Sequence, residues 1–421
     1  METTHANDGA LVTSARKEDI VAMTSACARI CPPRGKAAVP EFAAPAIIAR
    51  SARNVVRPLE EGDLDSVARL FLSRFRSRRA AADARGRAEV VSYMRQLYLE
   101  GPARRAGVDS QVQINARGKI GAFVGVIRAT YLLDGNPLTA GINGVLMASG
   151  QEGDSLAAVQ LLRELHRGPL DLIFTDSANR TSMALGRAMK YKIMSPESLE
   201  WACVFDPAAI LLHRGRQLWP WAPTSLLRPF ARAADFAVKR ALRSRMKRTP
   251  PAGWSDEAIN VSRFVEMAPR FLEEFRLRPE WTPGDLGWLV GQAALRQSAG
   301  PLNFHVIRNA SRAPVGCYAF YGEKGGVARV IHAAATNKGW SGLLPLILDN
   351  VESMGCIGVH GAAREGMTPY VYSTPGLFFY YTGGTMVYSN RADVLSAVED
   401  RGAFIGGFAG DRWTRLATDD F

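Results

Sequence analysis

The stretch GVLMASGQEGDSLAAVQLLRELH, residues 144–166, joins an apolar strand pattern to a glycine-containing turn and then to an amphipathic helix pattern. The first amides of a helix lack partners within the helix, and the helix dipole makes that end positive, so such a turn can hold a phosphate. Gly153 would let the backbone approach a ligand, and the small Ser155 leaves the next position uncrowded. An ordinary strand-to-helix corner fits the same residues, so both interpretations stay open here.

Two further polar residues are candidates for proton transfer. Asp176 lies at the end of the buried strand pattern PLDLIFTDS, where a carboxylate could act as a general base or could cap the next helix. Tyr191 could donate a proton, although packing in the core is the more common role of such a residue. None of the six histidines has the partner spacing of a metal site or of a nucleophilic triad, so no metal is expected.

These residues lie on a regular order of predicted elements. In residues 54–205 the apolar periods predict a strand, two helices, three strands, a helix, a strand, a helix and a last strand. Asp63 is predicted to cap the first helix, the second helix is expected around residues 89–99, and SLEWACVF is expected to close the domain. The remainder from residue 255 repeats this plan in pattern rather than in residues, with a strand at TMVYSN near its end.

Length and composition agree with two domains. A chain of 421 residues exceeds one ordinary core, and its 47% hydrophobic and 22% charged residues are typical of soluble globular proteins. We predict a disordered leader at 1–52, a first domain at 53–212, a connector at 213–254 and a second domain at 255–421. The predicted fold class is α+β, with two domains that each hold a mainly antiparallel sheet flanked by helices. The sequence has neither a secretory signal nor an apolar run of the ~18 residues that a membrane span needs, so the cytoplasm is the expected location.

The net charge of +12 is concentrated in one segment. Residues 213–248 contain ten lysines and arginines and one acid, Asp235. A diffuse nucleic-acid surface is therefore disfavoured. The pattern from residue 226 to 247 predicts an amphipathic helix, with Leu227 and Phe230 on its apolar face and Asp235 among the basic residues of the opposite face. Two interpretations stay open: a brace between domains, with the apolar face packed on them and the basic face in water, or peripheral contact of 213–248 with an anionic surface such as the inner face of a membrane.

Three landmarks in residues 54–205 together resemble the GCN5-related N-acetyltransferase (GNAT) superfamily. VRPLEEGDLDSVARLF is similar to the family's first strand and helix. Gly150 to Ser155, followed by LAAVQLLREL, resembles its pyrophosphate-binding motif, Gln/Arg-x-x-Gly-x-Gly/Ala. DSANRTSMALGRAMKYKI resembles the helix that flanks the tail of acyl-CoA. The second half resembles the family more faintly, through Gly339 and Gly342 before an apolar helix.

The resemblance implies acyl transfer from acetyl-CoA or another acyl-CoA to an amine or a hydroxyl. It implies that Asn179 and Ser182 line the acyl-CoA tail. The residues implied for the pyrophosphate are Gly150, Gly153, Asp154 and Ser155. In the family, backbone groups of the fourth strand hold the pantetheine and polarise the thioester carbonyl. The residues in that place are Val145, Leu146, Met147 and Ala148.

The sequence departs from the family at several places, among them Gly150 at the motif's Gln/Arg position and Lys190 at a position that is normally glycine. Glu152 stands where the motif has a cation, and Gly186 stands where the family has the tyrosine that protonates the departing thiolate. Asp176 is then the candidate base and Tyr191 the candidate acid. The predicted function is an acyl-CoA-dependent N- or O-acyltransferase with an unidentified small-molecule or amine-bearing acceptor. The alternatives are a catalytically degenerate pair of domains, serving as a ligand-binding or membrane-side assembly factor, and a transferase that uses aminoacyl-tRNA.

Overall fold

The computed structural model describes residues 54–76, 83–101, 109–150, 156–218, 227–242, 250–296, 300–374, 376–381 and 383–418. The chain divides into two compact units. The larger unit contains residues 44–205 and 244–421, and the described part of the smaller unit is residues 206–218 and 227–242. The larger unit contains two mainly antiparallel sheets flanked by helices, which confirms the predicted fold class.

The first half of the larger unit follows the predicted order closely. Its helices are α1 (Leu64–Phe75), α2 (Ala84–Tyr98), α3 (Ala157–Arg167) and α4 (Arg180–Ala188). Its strands are β1 (Val55–Pro58), β2 (Gln111–Ile114), β3 (Ile120–Leu133), β4 (Asn136–Ala148), β5 (Leu172–Ala178), β6 (Lys192–Met194) and β7 (Leu199–Val204). The smaller unit contains α5 (Pro207–Leu218) and α6 (Arg228–Leu242).

The second half adds more elements than the sequence predicted, among them β8, β9 and α8. Its helices are α7 (Val261–Met267), α8 (Pro283–Ala294), α9 (Trp340–Ser353), α10 (Thr368–Ser373), α11 (Ala392–Glu399) and α12 (Arg415–Thr418). Its strands are β8 (Ser255–Ile259), β9 (Leu277–Pro279), β10 (Leu302–Arg308), β11 (Pro314–Tyr321), β12 (Val327–Ala335), β13 (Gly358–Ala362), β14 (Leu377–Tyr381) and β15 (Gly384–Tyr388). No described helix is both long and apolar enough to cross a bilayer.

The two sheets exchange strands. The first sheet has the order β1-β2-β3-β4-β5-β15-β6, with β9 added beside β3, and the second has the order β14-β7-β13-β12-β11-β10-β8. The prediction that β7 closes the first sheet is therefore wrong, because β7 pairs with β13 and β14. The strand predicted at TMVYSN is β15, and it lies in the first sheet between β5 and β6. A local apolar pattern predicts a strand but not which sheet the strand joins. The domain boundaries stay predictions.

The first elements of the larger unit also differ from the prediction. Asp63 does not cap α1. Its carboxylate accepts from the backbone N–H of Glu60, which closes a short 3-10 turn, and from both terminal nitrogens of Arg57. The helix predicted around residues 89–99 begins earlier, at Ala84, because the Asp83 carboxylate caps it by accepting from Arg85 N and Gly86 N.

The two faces of the first sheet are covered by different helices. On one face α1 and α2 pack against the sheet through Phe71, Leu97 and Phe123, within a hydrophobic cluster that continues into the second half. On the other face a smaller cluster contains residues of α3, α4 and β15, among them Leu161, Met183 and Met386. Both faces are thus buried, which suits the long apolar strands β3 and β4.

Candidate functional site

Strands β4 and β5 separate partway along their length. Their parallel pairing ends at Ile142 and Phe174, yet β4 continues beside β3 as far as Ala148. No described strand pairs with the β5-facing edge of β4 from Asn143 to Ala148. We call this gap the first opening. The residues predicted to hold the pantetheine, 145–148, lie along it, with backbone groups available for hydrogen bonds to a ligand.

A buried phenol meets β4 where the opening begins. The β3–β4 register shifts so that Gly144 is an extra, bulged residue. The Tyr98 ring lies against Gly125, where a Cβ atom would overlap it, and its hydroxyl is 3.5 Å from the place of a Cβ on Gly144. The Tyr98 hydroxyl and the side-chain amide oxygen Oδ1 of Asn143 are buried without hydrogen-bond partners. Burial raises the pKa of Tyr98 well above its usual value, so the phenol keeps its proton as a donor.

Sequence reasoning did not identify Tyr98 as a site residue. A usable signal was nevertheless present, because Gly125 and Gly144 interrupt two adjacent apolar strands. Glycine inside a strand often marks close approach of a bulky group.

The β5 side of the first opening carries a segment from near the end of the chain. Residues 402–413, GAFIGGFAGDRW, form what we call the glycine segment. The Asp411 carboxylate accepts from the Thr175 hydroxyl at 3.1 Å, from Asp176 N at 2.9 Å and from the Ser177 hydroxyl. Burial and the charge of Asp176 raise the pKa of Asp411 well above its usual value, which favours a protonated carboxyl here.

Asp176 lies inside this polar contact. Its Oδ1 accepts from Asp411 N at 2.7 Å and from Arg412 N at 3.2 Å, and only 2% of the residue is exposed. It does not cap the next helix, because Asn179 does so by accepting from Ser182 N at 2.9 Å. The structure therefore brings the predicted base beside the first opening, where it is bonded to the glycine segment.

The polar contact continues into the second sheet. The Arg412 guanidinium donates to the Asp176 carbonyl and to Glu200 Oε1, both at 2.5 Å. Burial alone would raise the pKa of Glu200, but the hydrogen bond from His360 and the charges of His360 and Arg412 bring it well below its usual value. Within the described ranges no group of three or more His, Cys, Asp or Glu side chains is placed to hold a metal ion.

The predicted phosphate turn is described only in part. Gly153, Asp154 and Ser155 lie outside the described residues, and Gly150 is exposed with a φ of +70°. A guanidinium nitrogen of Arg74, on α1, is 2.6 Å from the place of a Cβ on Gly150. A cation therefore stands next to this turn, although Glu152 occupies the motif's own cationic position. Arg74 was not predicted, because only the folded chain brings α1 to this turn.

Position 186, where the resemblance expects a tyrosine, lies on α4 against β15. A Cβ at Gly186 would lie 2.5 Å from the Met386 sulfur, so a larger side chain there would require Met386 to move. The Tyr191 hydroxyl is 3.2 Å from His166 Nε2, in the last turn of α3. The helix rise places that turn ~15 Å from the start of α3, where the phosphate turn lies. The structure thus does not bring Tyr191 together with Asp176, and its acid role stays a prediction.

The second sheet has a corresponding gap. The parallel pairing of β12 with β13 ends at Val330 and Gly361, while β12 continues to Ala335. We call this gap the second opening. The glycine segment passes here too: Gly406 and Gly407 have φ of +99° and +63°, and a Cβ on Gly407 would lie 2.7 Å from His332 Nδ1. Trp340, the first residue of α9, is only 5% exposed, and a small cavity remains beside it.

Comparisons with known proteins give a result for structure but not for sequence. No protein-family model matches the chain, and no curated protein matches its sequence. A protein from Enterococcus faecalis V583, described as a probable N-acyltransferase, matches with a TM-score of 0.50 at 12% identity, over 80% of this chain and 72% of that one. A GCN5-related N-acetyltransferase from Anabaena variabilis ATCC 29413 matches with a TM-score of 0.51 at 12% identity, over 82% and 75%.

A third structure, Saccharomyces cerevisiae N-myristoyltransferase with bound myristoyl-CoA, matches with a TM-score of 0.42 at 10% identity, over 86% of this chain and 88% of that one. Identities this low inform on the fold alone. The chain therefore has the fold of the GCN5-related N-acetyltransferase superfamily.

Proposed function

We propose that the protein transfers an acyl group from acyl-CoA, either acetyl-CoA or a longer thioester, to an amine or hydroxyl of an acceptor that is still to be identified. The observation that carries this proposal is the first opening. There, the β5-facing edge of residues 143–148 has no described strand partner, and it lies next to the cation of Arg74 and the unpartnered phenol of Tyr98.

Each part of the opening has a proposed role. The backbone of 145–148 binds the pantetheine arm and polarises the thioester carbonyl, since fixed amide groups stabilise an oxyanion better than mobile water does. The turn at Gly150 and residues 153–155 holds the diphosphate, with Arg74 in place of the missing motif cation. Asn179 and Ser182 flank the tail at the start of α4.

The proposed chemistry is direct transfer. The acceptor nitrogen or oxygen attacks the thioester carbon, the carbon–sulfur bond breaks, and the acceptor's proton passes to the adjacent carboxyl groups of Asp176 and Asp411. The departing thiolate takes a proton from Tyr98, whose hydroxyl faces the opening from α2. Tyr98 is preferred to Tyr191 because Tyr191 is bonded near the far end of α3.

Calorimetry with acetyl-CoA and with longer acyl-CoAs tests the binding step. We expect saturable binding by the natural chain and loss of binding in Gly153→Trp, which would fill the proposed diphosphate seat. Ser341→Trp, near the start of α9 beside the second opening, serves as the matched control and should bind normally. Failure of the natural chain to bind any acyl-CoA would end the proposal, and equal loss in both variants would show that the site is not specific to the first opening.

One observation favours a second candidate function. Gly186, next to Met386, stands where the family has the tyrosine that acts as the acid, so the chain lacks the usual acid at this position. A protein that binds acyl-CoA as a sensor or assembly factor, without turnover, is consistent with that loss. Release of free CoA thiol in the presence of a panel of amines distinguishes the two: binding without release supports the sensor.

A further inference from the structure

The smaller unit contains a helix pair joined by a buried acid. Asp235, on α6, is 5% exposed, and its carboxylate accepts from Ala208 N at 2.8 Å and Ala209 N at 3.1 Å, so it caps the start of α5. Ala231, one turn earlier on α6, is buried on the same side. Asp235 was predicted on the solvent face with the basic residues, and its burial corrects that expectation.

The apolar residues of α6 and of the residue before it are exposed. Leu227 is 53% exposed, Phe230 is 74% exposed and Phe236 is 69% exposed. The two phenylalanines are the most exposed large apolar side chains of the described residues. The brace interpretation, in which Leu227 and Phe230 pack on the domains, stays a prediction.

The sequence that contains this helix is strongly basic. Residues 213–248 contain ten lysines and arginines, and their single acid, Asp235, is turned inward and bonded to backbone amides. The sequence of α6 itself supplies Arg228, Arg232, Lys239 and Arg240. Exposed aromatic side chains on a helix with surrounding basic residues match the composition of helices that lie in the interface of an anionic bilayer.

We propose that α6 docks on an anionic lipid surface, with Phe230 and Phe236 inserted at the headgroup level and the arginines and lysines against the headgroups. The positive charge of this segment favours an anionic lipid surface over a second copy of the chain and over residues 1–53 of the same chain. A second copy would bring one basic helix against another, and residues 1–53 of this chain, with seven lysines and arginines against five acids, carry no negative excess. The proposal does not depend on the acyl-transfer activity.

The test is co-sedimentation of the full chain with vesicles of phosphatidylcholine alone or mixed with phosphatidylglycerol. We expect binding only to the mixed vesicles, weakening as salt is raised. The double variant Phe230→Ser/Phe236→Ser should lower the partition coefficient roughly ten-fold or more, because both apolar anchors are lost. Phe75→Ser, which changes a 40% exposed phenylalanine on α1, is the matched control and should bind as the natural chain does.

Two results would overturn the proposal. One is equal sedimentation with both kinds of vesicle, or with neither. The other is unchanged binding by the double variant together with an unchanged thermal melting curve, which would show that the exposed phenylalanines are not the anchors. If instead the natural chain forms dimers that the double variant lacks, and no vesicles are bound, the face is a contact between copies and the lipid surface is excluded.

Discussion

The first and second openings share one construction and differ in what fills them. In the first, β4 extends beyond its pairing with the parallel strand β5, and in the second, β12 extends beyond its pairing with β13. The glycine segment contacts the separated strands at both openings. At the second opening Trp340 is buried at the helix start, and a Cβ at Gly342 would overlap Trp254. At the first opening Leu156, just before α3, is 52% exposed, and Gly150 is exposed too. A shared backbone plan therefore yields one candidate binding site and one packed core.

The largest expected effect concerns the contact that links the two openings. Arg412→Ala leaves Glu200 and its neighbours without their buried cation, which should lower the free energy of unfolding by about 3–5 kcal/mol. The matched control is Arg276→Ala, which breaks an exposed ion pair with Asp134 and should change stability much less. Urea unfolding of the natural chain and of the two variants measures the free energy of unfolding. Similar decreases in Arg412→Ala and Arg276→Ala would contradict a central role for the buried network.

A pH experiment tests whether the second opening is closed. Burial, aided by the charge of Arg364, lowers the pKa of His332 to about 3, so the folded chain takes up this proton only in strong acid, whereas the unfolded chain takes it up near pH 6.5. Stability should therefore fall as the pH drops from 6.5, by up to about 1.4 kcal/mol per pH unit from this residue. In His332→Phe the loss between pH 6.5 and 4 should be smaller. Parallel curves of stability against pH for the natural chain and His332→Phe would mean that water reaches the His332 ring.

A pair of tyrosines sharpens the comparison between the openings. Tyr98→Phe should lower the rate of acyl transfer about 100-fold with little change in acyl-CoA affinity, and should not destabilise the fold, because its hydroxyl has no partner to lose. Tyr321→Phe, in the second sheet, removes a 2.7 Å hydrogen bond to the Ala293 carbonyl and should cost about 1 kcal/mol of stability without changing the rate. Thiol release and urea unfolding separate these effects. The opposite pattern would remove Tyr98 from the mechanism.

The smallest predicted effect concerns the cation beside Gly150. Arg74→Gln should weaken acyl-CoA binding about three- to ten-fold, and more strongly at low salt, if its guanidinium meets the diphosphate. Arg69→Gln changes an arginine on the same helix that pairs with Asp65, and it should leave the affinity unchanged. Titration calorimetry with acetyl-CoA gives the dissociation constants of both variants. Equal affinities would show that Arg74 does not contribute the proposed cation to diphosphate binding.

The sequence predicted local structure well and long-range placement poorly. The elements from β1 to α4 follow from apolar periods, and the strand–turn–helix at residues 144–166 indicated where β4 leaves β5. In contrast, no local pattern indicates that Asp411 meets Thr175, or that Arg74 reaches Gly150, because such contacts join residues far apart in the chain. Gly186 is a further example, because the sequence alone does not show that Met386 of β15 lies against it.

The exchange of strands has a consequence for synthesis of the chain on the ribosome. Among the described strands, β6 pairs only with β15, so residues 192–194 have no strand partner until residues 384–388 have been synthesised. About 190 residues must be added in between, which takes on the order of 10 to 40 s at ~5–20 residues per second. Neither half can finish its sheet alone, and a nascent chain halted after the connector would expose unsatisfied strand edges to chaperones and to aggregation.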